Sequence, residues 1–349
     1  IKKEDAKRKA LGEAMEIYSS TLFKQLLPIK PDSKKIKDVH KFLQFKEGSY
    51  KDGFYSKFYS SKDIIWVRGK DMINKQDVLI PGFCIFLNYN RYHKRYYPNF
   101  SQGLGNARNL KDSIAHGILE NIEADASMIF WRNKLDLPLI KLSTLDDNKV
   151  NLLIRALKKE KIKIRLIYAT LDIPINIIIS CLYYQNYPYV SFGFGSGKRI
   201  EDASLKAIEE ALLVRNTLLL LKKYSYGKNM KEHEIKSFLD HAVYASYNHS
   251  ITEWIAELKE RDIKPIGNSI TLQYLKKELS RKNLNCYFVN LTKRVFQKIG
   301  FYQSKTILPT LCQKDMANNY KFLNNDRFVK VPKELGYQPK WNFSPHPFG

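Results

Sequence analysis

One twelve-residue pattern occurs three times in this chain, and it restricts the fold more than any other feature. Residues 5–16 read DAKRKALGEAME, residues 112–123 read DSIAHGILENIE, and residues 202–213 read DASLKAIEEALL. Each opens with Asp and a small residue, then has Ala or Gly at offset 5, Leu or Ile at offset 6 and Glu at offset 8. The first two carry a second Glu at offset 11. A pattern that recurs at unchanged spacing marks a repeated unit of structure. All three segments have helical composition, and an acid at the start suits the positive end of a helix.

At about 100° per residue, offsets 8 and 11 lie about 60° apart, so Glu13 shares a face with Glu16, and Glu120 with Glu123. Offset 0 falls on the same side, which puts Asp112 there, about three turns away. Beside these acids the second segment carries Ile114, Ile118, Leu119 and Ile122. Most helix acids merely face water, and a solvated stripe is one reading. The other starts from the adjoining apolar stripe. Carboxylates clustered in a half-buried place repel one another and need compensation. Magnesium supplies it, because hard oxygen ligands and phosphate can share the ion. On that reading Glu residues from two helices hold a metal at a phosphate site. His116, in the same stretch, either packs or approaches a nucleotide, and packing is the expectation.

The remaining chain mixes strand and helix signals. Residues 64–87 read as two strands joined by a polar turn. Residues 151–162 read as a helix, KIRLIYAT and INIIISCLYY as strands, 228–282 as mostly helical, and NCYFVNL as another strand. The class is therefore α+β. SFGFGSG at 191–197 reads as a glycine-rich turn that either cradles phosphate at the next helix or simply permits a bend. It is not a P-loop, since no GKS or GKT follows. FSPHPFG, with prolines two apart, fits neither a helix interior nor a central strand. Asp240 and His241 read as a helix start.

The 349 residues suit one large domain or two smaller ones, and 44% apolar content allows a real core. The longest apolar run is too short to cross a bilayer, so a soluble, cytoplasmic protein is expected. Cys84, Cys181, Cys286 and Cys312 form no CxxC pair, which argues against a zinc site or a disulfide framework and for reduced thiols. The chain opens on Ile1 rather than Met, so an incomplete N-terminus is expected. The net charge of +24 is scattered rather than gathered in an arm, and nucleic acid is not the expected partner.

Several of these segments together resemble the YcaO family, whose members use ATP to modify peptide backbones. SQGLGNARNLKDSIAHGILENIEADA resembles the family's SNGLAAGNTLEEAILHGLLELIERDA, and KALGEAMEIYS its SALGEAIERYS. GFGSGKRIEDASLKAIEEA and IIWVRGKDMINKQDVLIPG match a later glycine-led helix and a Trp-Val stretch. SFLDHAVYA and the ending ELGYQPKWNFSPHPFG are similar to features of the azoline-forming members, which often end in PHPFP.

The resemblance implies a YcaO-type α+β fold of repeated strand–helix units, with helices packed on mixed sheets. Residues 1–330 would form a single ATP-binding domain, and residues 331–349 a proline-rich tail entering the active site. It implies ATP and magnesium as cofactors, with Glu13, Glu16, Glu120 and Glu123 as metal ligands. Lys9, Arg108, Asp112 and Arg327 would join them in binding nucleotide, and Pro345, Pro347 and Gly349 would be the catalytic end. The implied activity is cyclodehydration of a ribosomal precursor peptide to thiazolines or oxazolines. A thioamide-forming enzyme and a non-catalytic scaffold are the alternatives. A ubiquitin-activating-enzyme-like protein that binds the leader peptide, a flavin dehydrogenase and a second copy of the chain are the implied partners. Five positions depart from the family: Ile17 and Ala124 replace arginines, Lys9 a serine, Arg108 an asparagine and Gly349 a proline. Lys9 and Arg108 are the candidates to resupply the lost positive charge.

Overall fold

Each of the three repeats is a helix. The computed structural model describes residues 3–21, 42, 54–57, 64–267 and 270–349. In chain order the first elements are α1 (Lys3–Ser19), β1 (Trp66–Asp71), β2 (Asp77–Pro81), α2 (Tyr89–Tyr92), β3 (Leu104–Ala107) and α3 (Leu110–Asn133). Next come α4 (Asn148–Lys159), β4 (Lys163–Tyr168), β5 (Asn176–Tyr183), β6 (Val190–Gly197), α5 (Ile200–Lys222) and α6 (Phe238–Tyr247). The last are α7 (Leu272–Arg281), β7 (Tyr287–Asn290), α8 (Arg294–Gln297), β8 (Tyr302–Ile307) and α9 (Arg327–Glu334). The side chain of Asp5, which opens the first repeat, lies outside the described residues.

The chain divides into two compact units, one of Ile1–Ile122 with Thr271–Leu311 and one of Glu123–Ile270 with Cys312–Gly349. The first unit holds a five-stranded sheet in the order β2-β1-β7-β8-β3. Its β1–β2 hairpin is the strand pair expected within residues 64–87. It closes because the Asp71 carboxylate accepts the N–H groups of Ile73 (2.9 Å) and Asn74 (3.0 Å). α1 lies against β3, where Asn106 Nδ2 donates to Gly12 O at 3.4 Å. The start of α3 presses onto the same strand. A Cβ at Gly105 would stand 2.0 Å from Ser113 O, and one at Gly117 2.3 Å from Gly103 O.

The second unit is built on a three-stranded sheet, β4-β5-β6, with α5 laid across it. Here SFGFGSG is neither a cradle nor a bend. It is the strand β6, fully buried and paired with β5 from Val190↔Tyr183 to Gly197↔Asn176. Its glycines alternate, so all three face α5. A Cβ at Gly193 would stand 2.2 Å from Ala211 N, and one at Gly195 2.1 Å from Ala203 O. In this third copy the small residues at offsets 1, 5 and 9, Ala203, Ala207 and Ala211, thus have a purpose: they are the helix face on which the glycine-bearing strand lies. Ile178, Leu166, Ile208, Val150 and Leu157 fill the core of this unit together with Ala203, Ala207 and Ala211.

The α+β class holds. Every described strand pair is antiparallel, so the sheets are antiparallel rather than mixed. Residues 228–282 are less helical than their composition suggests, since 261–267 form neither helix nor strand. That run is tied down by side chains of the second sheet: Tyr168 Oη donates to Lys264 O (3.2 Å), and Asn176 bonds both the N–H and the carbonyl of Ile266. All four cysteines are buried and free of disulfides. No helix among the described residues is long and apolar enough to cross a membrane.

Candidate active site

In the first unit, α1 presents Glu13, which is exposed, and Glu16, which is half-buried. Burial pushes the Glu16 carboxyl up to about 7, and the charge of Glu13 adds to the effect. Lys305 and the Asn106 N–H oppose it. Lys305 is a fully buried lysine in β8, and its amine donates to Phe100 O (2.8 Å) and Gln102 O (2.6 Å). Burial lowers it to about 8, against the attraction of Glu120, Cys84 and Glu16. Glu120 Oε2 in turn accepts the Gly103 N–H at 2.8 Å. The structure therefore brings Glu13, Glu16 and Glu120 into one electrostatic group around Lys305. The sequence signal for that lysine is slight: one cation inside the short strand YQSKTI.

Arg108 is exposed, with Nη1 donating to Ile299 O (3.3 Å) and its guanidinium 4.0 Å from the Phe301 ring centroid. Asp112 accepts from Asn109 Nδ2 (2.8 Å), and Asn109 Oδ1 accepts the Asp112 N–H, so this pair closes the first turn of α3. Lys9 is exposed on α1. His116 is exposed too.

In the second unit, Glu123 is half-buried, and burial raises its carboxyl. Ser196, Lys206 and Lys314 pull it down again. Lys206 Nζ donates to Ser196 O at 2.9 Å, and Lys314 Nζ stands 4.6 Å from the Phe194 ring centroid. Arg327 is committed to two other acids. Nε and Nη2 grip Asp125 (2.8 and 2.6 Å), while Nη1 and Nη2 grip Asp172 (3.1 and 2.7 Å). Asp125 also accepts the Cys312 N–H at 2.8 Å. Arg327, largely buried, thus ties two acids together. Pro345 and Pro347 are buried and Gly349 is exposed. A Cβ at Gly349 would lie 3.3 Å from Ala242 Cβ. Ser237, not Asp240, caps α6. Asp240 accepts from Tyr226 Oη and the Lys236 N–H, and His241 is wholly buried with Nδ1 on His346 O at 3.1 Å.

The third copy of the repeat makes a matching contact. Glu210, at offset 8 of the third copy, accepts the Phe194 N–H from β6, as Glu120 at offset 8 of the second accepts the Gly103 N–H. The offset-8 acid in both helices ties a backbone N–H of the preceding segment.

Among the described residues no three acidic, histidine or cysteine side chains converge closely enough to hold a metal unaided. Magnesium does not require that. It commonly takes one or two carboxylates, with phosphate and water oxygens completing its shell. A carboxylate pair in which Glu16 is held up by burial and by Glu13 is a donor set of that kind.

A family model described as YcaO cyclodehydratase, ATP- and Mg2+-binding, matches residues 1–312. The chain belongs to the YcaO family. No curated protein sequence matches it. A solved heterocyclase in complex with substrate and cofactor superposes with a TM-score of 0.76 at 19% identity, over 97% of this chain and 48% of its own. The chain therefore spans about half the length of that heterocyclase. YcaO from Methanopyrus kandleri bound with AMPPCP and Mg2+ gives 0.61 at 14% identity, over 88% and 76%. The E. coli microcin synthetase McbBCD complex with pro-MccB17 bound gives 0.61 at 15%, over 87% and 78%. ATP and Mg2+ are the cofactors of the YcaO family, as the resemblance implied. Of the two YcaO arginine positions replaced here, Ala124 is buried and Ile17 is exposed. Lys305 acts on Glu16 and Glu120, and Lys206 and Lys314 act on Glu123. Arg108, one of the two residues expected to take over that charge, is held by Ile299 and Phe301 instead.

Proposed function

We propose that this chain is an ATP- and Mg2+-dependent cyclodehydratase that forms thiazolines or oxazolines in a ribosomally made precursor peptide. The observation that carries the reading is the Glu13–Glu16 pair on α1. Its raised carboxyl calls for a cation, in a chain whose family is described as ATP- and Mg2+-binding. Glu13, Glu16, Glu120 and Glu123 are the proposed metal and nucleotide residues. Lys305, Lys206 and Lys314 offset their charge. Bound Mg2+ would neutralise the phosphates and favour departure of the γ-phosphoryl group.

A Cys, Ser or Thr side chain of the peptide attacks the preceding backbone carbonyl. The carbonyl oxygen then takes the phosphoryl group, and phosphate leaves as the C=N bond forms. ATP becomes ADP and phosphate, and the peptide loses one water per ring. Pro345, Pro347 and Gly349 close the peptide side. The buried Pro345–Phe348 stretch supports the azoline branch over thioamide formation, because it resembles the azoline formers' ending. Leader recognition is assigned to a ubiquitin-activating-enzyme-like partner, later oxidation of the rings to a flavin dehydrogenase, and a homodimer is the proposed assembly. The bound pro-MccB17 in McbBCD supports a partner-assisted reaction on a peptide.

The buried Ala124, where the family has an arginine, favours a second reading as a non-catalytic scaffold. One experiment separates the two. The chain, its partner protein, the cognate peptide, ATP and Mg2+ are incubated together, and peptide mass and ADP are followed. Loss of one water per ring, matched by ADP and phosphate, is the expected result. An unchanged mass for a peptide that is a proven substrate of the pathway leaves the scaffold.

A further inference from the structure

The 340–349 segment is held by the carboxyl-terminal turn of α3. The Asn342 N–H donates to Arg132 O (2.7 Å) and Asn342 Nδ2 to Trp131 O (3.1 Å). The arriving segment thereby satisfies carbonyls that a helix end leaves open. Arg132 returns the grip. Its Nη1 donates to Asn342 O (2.7 Å) and Ser344 O (3.1 Å), and Trp131 Nε1 also donates to Ser344 O (3.1 Å). The Lys340 N–H donates to Asn133 Oδ1 at 3.1 Å.

Arg132 is wholly buried, and Asp315 meets its charge through Nη2. The Asp315 carbonyl accepts from His346 Nε2 at 2.8 Å, and His346 O accepts from His241 Nδ1. The two imidazoles stack with centroids 3.8 Å apart. Phe348 then lies edge-on to Trp131, Phe192 and Phe194, at 5.0 to 5.9 Å. A guanidinium suits this place because its rigid fork serves two carbonyls and a carboxylate together, which an ammonium does not.

We propose that Arg132 is a positioning residue that fixes the course of the 340–349 segment, and with it the stance of Pro345, Pro347 and Gly349 relative to Glu123. Glu123 lies nine residues earlier on the same helix, about 13 Å along its axis. The role in turnover rests on the function proposed above; the anchoring itself does not.

The test uses hydrogen exchange read by mass spectrometry on the full chain. Arg132→Met removes the fork, but it leaves Asp315 buried without a partner and endangers folding. Asn342→Ala loosens the same junction and keeps the Arg132–Asp315 pair. In both variants the amides of 342–348 should exchange at least about tenfold faster while those of α5 keep their protection. Arg132→Lys should keep the fold without restoring that protection. Given a peptide that the unaltered chain turns over, Asn342→Ala should lower kcat and leave the KM for ATP unchanged. Unchanged exchange in both variants overturns the anchoring. Faster exchange with unchanged kcat overturns the positioning role. Absence of turnover by the unaltered chain sinks the functional reading, and exchange then decides the anchoring alone.

Discussion

Glu16 shows how a side chain that serves a ligand burdens the fold around it. Its carboxyl stands at about 7 in the folded chain against an ordinary 4.5. The fold therefore favours the protonated form. No penalty exists below pH 4.5; it grows as pH rises from there to about 7 and is complete above. Glu16→Gln should raise unfolding stability at pH 8 by about 1–2 kcal/mol, discounted for partial exposure, and leave it unchanged at pH 4. Denaturant titrations at the two pH values measure this, and a loss of stability at pH 8 would refute the burial argument. Arg327 behaves in the opposite sense. Arg327→Met leaves Asp125 and Asp172 buried without their cation and should cost about 3–5 kcal/mol. A variant of full stability with weakened ATP binding would show instead that Arg327 serves the nucleotide. The glutamates were legible in the sequence because helix geometry is local: residues three apart share a face wherever the helix lies. Lys305 and the Arg327 tie were not. The partners of Arg327 stand 202 and 155 positions away, and only the folded chain brings them together.

The three helices were readable from composition and spacing, but β6 was not. Three glycines in seven residues look like a turn when flexibility is the only property considered. Their strict alternation has a tertiary cause: α5 lies so close that the strand face beneath it has no room for a Cβ. Gly195→Ala would put a methyl group 2.1 Å from Ala203 O and 2.8 Å from Ala207 N, both backbone atoms that cannot swing aside. It should destabilise the chain by about 1–3 kcal/mol or more. Gly267→Ala, which would meet no atom within 4 Å, is the control and should stay within about 0.5 kcal/mol. Chemical denaturation compares the two. Equal stabilities would contradict the account of the repeat as a glycine strand laid on a small-residue helix face. The non-helical run near Lys264 and Ile266 was misjudged for a related reason, since Tyr168 and Asn176 claim main-chain groups that a helix would have kept for itself.

At the scale of the whole molecule, the chain has two compact units, each with an antiparallel sheet and a repeat helix whose offset-8 glutamate ties a backbone N–H. The family was legible because the acids kept their spacing through extensive change elsewhere. The lysines beside the glutamates were not, because lysines scattered in sequence acquire partners only on folding. The central claim is that the paired glutamates make this a magnesium–nucleotide protein. Calorimetric titration of the chain with a non-hydrolysable ATP analogue, with and without Mg2+, tests it most directly. The account predicts saturable binding that requires Mg2+ and falls at least about tenfold, a loss of about 1.4 kcal/mol or more, in both Glu16→Gln and Glu123→Gln. Binding that ignores Mg2+, or that survives both substitutions intact, would contradict it.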